Sequence, residues 1–243
     1  MRAVVLAGGR GTRLAPYTTV FPKPLVPVGD RPVLEIIIRQ LAASGFGDVV
    51  LSVGHLGALI EAYFQNGHQE IPGLERLEYY HESKPLGTAG PLAMIPALNE
   101  TFLVMNGDVL TTLDYRRLLE FHRAQGAALT VATHRKQVHI DLGVLETNGS
   151  HEIVSYREKP NIHLDVSMGI YCYEPSVIRY IEPGRYLDFP DLVLRLLDRG
   201  ERVSSFLCDA QWLDIGRKED YELAQTAFTR FDPVAAGAGA GVV

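Results

Sequence analysis

The chain has 243 residues, 47% hydrophobic and 21% charged, with 23 basic against 29 acidic side chains and a net charge of −6. A chain of this length buries about 70–75% of its unfolded surface and needs no disulfide or structural metal to fold. Its acidic balance argues against a nucleic-acid or anionic-membrane partner, so an anionic ligand needs a local cluster of cations.

Short apolar runs alternate with amphipathic stretches, which predicts α/β architecture in a single domain. Arg2–Ala7 reads as a buried first strand, followed by a Gly-, Pro- and Thr-rich loop over residues 8–30. A helix is expected next, with Asp30 as its cap, Pro32 near its first turn and Gly45 as its stop. Strand Asp48–Val53, helix Leu56–Gln65 and strand Leu77–Tyr80 follow. Thr88–Leu98 is expected to be helical, Thr101–Met105 a strand, Tyr115–Gln125 a helix and Ala127–His134 a strand. A long loop is expected at residues 135–141. Short strands come next: Leu142–Glu146, Ile153–Tyr156 and Gly169–Tyr173, with an Asn148-Gly149 turn between the first two. Helices near Pro175–Ile181 and Phe189–Arg199, strands Val203–Phe206 and Gln211–Leu213, and a helix from Lys218 to about Phe228 close the pattern. Residues 1–232 are expected to form the folded domain and 233–243, rich in Ala and Gly, a flexible tail.

Cys172 and Cys208 match no metal or redox spacing and are expected to be buried thiols. The histidines show no ligand spacing either. The first apolar run is too short for a signal peptide, and no run reaches the length of a membrane span, so a cytoplasmic location is expected.

The chemistry starts in the first loop. Gly8, Gly9 and Gly11 let backbone N–H groups approach a ligand closely, while Arg10, Arg13 and Lys23 add positive charge; together they suit a polyphosphate. A dinucleotide fingerprint would need glycine at position 14, which is Leu14, and no Walker Gly-Lys-Ser/Thr is present. Asp108 and Asp214 each stand at the end of an expected strand, where ligand groups of α/β sheets gather. Two carboxylates and phosphate oxygens would suit Mg²⁺.

The run Leu6-Ala7-Gly8-Gly9-Arg10-Gly11-Thr12-Arg13-Leu14, with Pro16, Thr18, Pro22-Lys23-Pro24-Leu25 and Pro27-Val28, resembles the signature of the sugar-1-phosphate nucleotidylyltransferases. Further matches reach to about residue 225. The resemblance is closest to mannose-1-phosphate guanylyltransferase catalytic domains, through Pro85-Leu86-Gly87-Thr88-Ala89-Gly90-Pro91-Leu92. It implies a Rossmann-like fold with a mixed central sheet, binding nucleotide in its N-terminal half and sugar phosphate in its C-terminal half. Arg13, Lys23 and Asp108 would then be catalytic. Leu6, Ala7, Gly8, Gly9, Gly11, Thr12, Glu82, Pro85, Gly87, Thr88, Asn106 and Gly107 would join Arg13 and Lys23 around the nucleotide. Asp108 and Asp214 would hold Mg²⁺. Gly143, Ser167 and the Glu158-Lys159-Pro160 motif would meet the sugar phosphate. The implied partners are a nucleoside triphosphate and a sugar 1-phosphate, with a homo-oligomer left open and the product a nucleotide sugar.

Glu82 bears on the base. An ionised carboxylate is acceptor-only and matches the adjacent N1–H and N2–H donors of guanine, whereas an amide matches thymine or uracil. GTP is therefore the expected nucleotide, with UTP, dTTP and CTP as alternatives within the same chemistry and a catalytically silent regulatory subunit as another. Leu142, Ser167 and Met168 depart from the relatives' usual residues, and Met168 is expected to add bulk near the sugar pocket. Mannose, a seven-carbon manno-type sugar or a deoxysugar are the expected sugars.

Overall fold

The side chains of strand β1 (Arg2–Leu6) serve two cores at once: Ala3 and Val5 pack into one, Val4 into the other. In this computed structural model, which describes residues 1–9, 11, 20–65 and 71–231, the two cores lie on opposite faces of one sheet. Arg10, Thr12, Arg13, Leu14, Pro16, Thr18 and the segment 233–243 fall outside the described residues.

After β1 come a 3-10 turn at Lys23–Leu25, β2 (Pro27–Val28), β3 (Arg31–Pro32), α1 (Val33–Ala43), β4 (Asp48–Val53), α2 (Gly57–Gln65) and β5 (Arg76–His81). A 3-10 turn at Gly90–Ala93 leads to β6 (Phe102–Asn106), β7 (Val109–Thr111), α3 (Tyr115–Gln125), β8 (Leu129–His139), β9 (Val144–Thr147), β10 (Ile153–Arg157) and β11 (Asn161–Tyr173). A 3-10 segment at Pro175–Tyr180, α4 (Phe189–Asp198), β12 (Val203–Leu207), β13 (Trp212–Asp214), α5 (Lys218–Thr226) and α6 (Phe228–Phe231) complete the chain.

The central sheet has seven strands in the order β12-β8-β11-β6-β1-β4-β5. Strands β6, β1, β4 and β5 are parallel; β11 enters antiparallel to both β6 and β8, so the sheet is mixed. The fully buried apolar runs of β1, β4 and β6 follow from burial on both faces. The α1 side chains Leu34, Ile37, Ile38 and Leu41 cover one face at helical spacing, and Leu192 and Leu196 of α4 cover the other. The N-cap of α3 is Asp114, whose carboxylate accepts the Arg116 and Arg117 N–H groups; Gly126 ends it in the left-handed region at φ 56°. Among the described residues no helix is long and apolar enough to cross a membrane.

Several expectations need correction. Asp30 does not cap α1. It lies in the turn between β2 and β3, and Pro32 holds the cap position without a side-chain bond. Thr88–Leu98 is not a helix beyond the 3-10 turn, because Gly87 and Ala97 have positive φ (80° and 60°) and Ala89 and Gly90 give their N–H groups to Leu187 O. Pro175–Ile181 is likewise a 3-10 segment, Pro175–Tyr180. The segment 135–141 is largely strand: β8 runs on to His139, paired with Asn161–Ser167 of a β11 that begins eight residues before Gly169. Met168 is fully buried, its carbonyl accepting the Trp212 Nε1–H at 2.9 Å and its sulfur 3.6 Å from Cys208 Sγ, so its bulk belongs to the core. Cys172 is buried and its thiol is pushed up to about 12 by burial, but Cys208 is only half-buried.

Candidate active site

The parallel strands β1, β4 and β6 end side by side, which gathers Leu6, Gly54 and Asn106 at one rim of the sheet. The backbone N–H of Gly107 donates to Leu6 O at 2.9 Å, and that of Ala7 to Ser52 O at 2.8 Å, so the first loop leaves β1 tightly bound to both neighbours. Above this rim lies a cleft of about 700 Å³. Leu6, Ala7, Gly8 and Gly9 form one wall, Glu82, Pro85, Gly87 and Thr88 another, and Asn106, Gly107, Asp108 and Lys23 the floor. Twelve of the residues assigned from sequence to the nucleotide and the catalytic centre thus meet in one place. Gly11 is described, at φ 61°, but does not line the cleft.

Gly8 lets the first loop approach Glu82 closely. A Cβ there would stand 2.8 Å from Glu82 Oε1 and 3.2 Å from the Gly54 backbone N. Glu82 is fixed at that approach: Oε1 accepts the Ser52 hydroxyl at 2.9 Å, and Oε2 accepts the Leu86 N–H at 3.2 Å. Each carboxylate oxygen keeps lone-pair capacity for a further donor.

The loop carrying Glu82 is clamped from the far end of the chain. Asp188 Oδ1 accepts both the backbone N–H of Thr88 (3.1 Å) and its hydroxyl (3.3 Å), while Thr88 Oγ1 accepts the Phe189 N–H at 2.7 Å. A Cβ on Gly87 would lie 2.5 Å from Leu187 O, so the close contact and the positive φ both demand glycine.

On the floor, β7 pairs antiparallel with β13, which places Asp214 beside Val109, next to Asp108. The backbone locks the two segments further, Ile215 N–H donating to Asp108 O at 2.9 Å. Lys23, buried in its 3-10 turn, hydrogen-bonds Asp108 Oδ2 and stands 3.6 Å from Asp214 Oδ1. Two carboxylates thus converge on one cation. Among the described residues no group of three or more His, Cys, Asp or Glu side chains forms a metal cage.

The sugar-side residues lie elsewhere. Gly143, Glu158, Lys159 and Ser167 are not part of the cleft wall. Glu158 Oε2 accepts the Tyr156 hydroxyl at 2.7 Å, Lys159 pairs with Asp141 at 2.8 Å, and a Cβ on Gly143 would collide with the Tyr156 hydroxyl. These three are exposed, around the β9–β10 hairpin and the turn into β11. Ser167 Oγ accepts the Gly169 N–H at 3.2 Å where β11 shifts register. Gly169 has φ 73°, and a Cβ on it would strike Asn106 Nδ2 at 2.6 Å, so this shift seats β11 against the cleft floor.

Sequence reasoning missed Gly54, His55 and Tyr186 in the cleft wall and gave no separate role to Pro24, Ser83 and Lys84, which lie within its motifs. Gly54-His55 carried a readable signal, a glycine closing a strand parallel to β1. Tyr186 carried none, since it arrives from about 100 residues beyond the loop it joins.

A UTP–glucose-1-phosphate uridylyltransferase of Synechocystis is 34% identical over 241 residues, covering 91% of this chain and 61% of that protein. A mannose-1-phosphate guanylyltransferase of Mycobacterium tuberculosis is 35% identical over 228 residues, covering 90% of this chain and 62% of that one. The chain therefore spans about three fifths of the length of these curated relatives. Among solved structures, HddC from Yersinia pseudotuberculosis superposes with a TM-score of 0.72 at 25% identity, over 93% of this chain and 99% of HddC. Its complex with GMP-PN superposes with a TM-score of 0.68 at 26% identity, with the same coverage. Residues 2–230 match the family model described as nucleotidyl transferase, and the chain belongs to that family.

Proposed function

We propose that the protein joins a nucleoside triphosphate, GTP by preference, to a sugar 1-phosphate of manno-type and releases pyrophosphate. The observation that carries the reaction class is the convergence of Asp108 and Asp214 on Lys23 beneath the glycine-rich first loop. In this reading an oxygen of the sugar 1-phosphate attacks the α-phosphorus, the bond from that phosphorus to the β-bridging oxygen breaks, and pyrophosphate leaves with the electron pair. The protein's work is positioning and charge neutralisation. The first-loop backbone cradles phosphates, Lys23 and Arg13 offset their charge, and Lys159 receives the sugar phosphate.

Asp108 and Asp214 fit Mg²⁺: both offer hard oxygen donors, both already face a cation, and Mg²⁺ commonly takes one or two carboxylates with substrate phosphates and waters. Bound there, the ion would screen phosphate charge during the displacement.

Glu82 supports the choice of GTP. Its oxygens are held by Ser52 and Leu86 so that the carboxylate presents acceptors to the cleft, matching the paired donors of guanine. A neighbour solved with GMP-PN and a relative named as a guanylyltransferase agree; the uridylyltransferase relative keeps UTP as the second reading.

The test is pyrophosphate release with Mg²⁺ across four nucleoside triphosphates and the 1-phosphates of mannose, glucose, fucose and manno-heptose. Turnover confined to GTP supports the reading of Glu82. Turnover with UTP or dTTP overturns it while keeping the reaction class, and silence across the grid overturns the proposed substrates.

A further inference from the structure

Tyr186 is the only phenol ring among the described residues that line the cleft, and nothing in the first-loop chemistry accounts for it. It stands with the Glu82 loop, along the wall formed by Pro85, Gly87 and Thr88. Its hydroxyl donates to Asp188 Oδ2, while the other oxygen of that carboxylate holds Thr88. The ring is therefore tied into the same clamp that fixes the loop. With 62% of Tyr186 exposed, ring surface remains for a ligand to cover.

The His55 imidazole is the one other aromatic ring among the described residues that line the cleft. The Lys23 ammonium on the floor of the cleft and the Gly8-Gly9 backbone in its first wall suit phosphates. The nucleoside portion of a bound nucleotide needs a different environment, because the base exposes a π face that gains from aromatic contact.

We infer that Tyr186 covers the nucleoside of the bound nucleotide, beside the Glu82 loop. The inference rests on the proposed nucleotide-binding role of the cleft. It adds a second recognition element to the base-reading carboxylate: Glu82 distinguishes bases by hydrogen bonds, while the Tyr186 ring supplies affinity common to every base.

Binding measured calorimetrically, without turnover, separates these roles. The ligands are the non-hydrolysable α,β-methylene analogues of GTP and UTP, and inorganic tripolyphosphate. Tyr186→Ala is expected to weaken whichever analogue the wild type prefers by roughly tenfold or more, the size of a lost base–aromatic stack. Tripolyphosphate affinity should stay unchanged, and Tyr186→Phe, which keeps the ring, should stay close to wild type. Equal losses for analogue and tripolyphosphate, an unchanged Tyr186→Ala, or a Tyr186→Phe as weak as Tyr186→Ala would each overturn the inference. The choice of GTP is judged separately, from the wild type's own ranking of the two analogues, so a UTP-preferring wild type would sink that reading and leave the Tyr186 comparison intact.

Discussion

Lys23 and Asp108 lie 85 residues apart in sequence, yet the ammonium of one is hydrogen-bonded to the carboxylate of the other, with Asp214 only 3.6 Å from the same nitrogen. One buried cation thus holds two acidic groups that would otherwise repel one another. Removing one partner of a buried charge set leaves the other uncompensated, which is costly. Lys23→Met is therefore expected to melt below wild type in the presence of a chelator, and to gain more from added Mg²⁺ than wild type does. Thermal unfolding in chelator and in Mg²⁺ checks this; equal Mg²⁺ responses would show that the carboxylates do not share a cation site.

Asp108→Asn should leave the backbone pairing of β7 with β13 intact, since that pairing uses main-chain groups. Turnover is expected to fall by about 10²-fold or more, the scale of losing one charge-stabilising group. A pyrophosphate-release assay at saturating substrate reads it. Near-normal turnover would remove Asp108 from the reaction. The same size of loss is expected for Arg13→Ala.

Gly87→Ala introduces a Cβ at φ 80° and 2.5 Å from Leu187 O. Backbone strain of this kind costs about 1–3 kcal/mol. The Glu82 loop must shift, so a raised KM for nucleotide and a lower urea midpoint are expected together. A rise in the KM for sugar 1-phosphate alone would contradict the placement of this loop.

His122 is buried, with Nδ1 2.8 Å from Thr130 Oγ1 and Nε2 3.1 Å from Glu174 Oε1. Burial lowers its pKa, and Glu174 offsets only part of that. A folded-state pKa below the unfolded value means the unfolded chain takes up the proton first. Stability from this site is thus full above the ordinary histidine range and declines as pH falls through it, levelling off below the folded pKa. Urea unfolding at pH 7.5 and pH 5 should show a loss that is smaller in His122→Gln. An equal loss in the variant would assign the pH dependence to other groups.

The sheet and its rim were legible because β1, β4 and β6 are short apolar runs ended by glycine or Asn-Gly, a local pattern that burial on both faces imposes. Lys23, Glu82 and Asp108 were legible from motif order. The geometry of Thr88–Leu98 was not, because helical spacing there competes with bonds to Leu187, a partner about 100 residues away. The extension of β8 was missed for the opposite reason: Arg135 to His139 pair with only one neighbour and lie mostly exposed, so no apolar run marks them. Asp30 illustrates a third cause, a good capping residue used by the hairpin turn that precedes the helix.

Among the described residues, β8 beyond Thr133 has β11 as its only strand partner, and from Asn161 to Ser167 β11 has only β8. The chain between them, with Gly143, Glu158 and Lys159, hangs on a two-stranded ribbon, while the cleft is built onto the rim of the seven-stranded sheet. Under the proposed function, the two substrates are then chosen by separately replaceable parts. Exchanging the segment 134–167 with that of a relative would transplant the choice of sugar without re-engineering the choice of base, which makes the ribbon a natural cassette for building new nucleotide sugars.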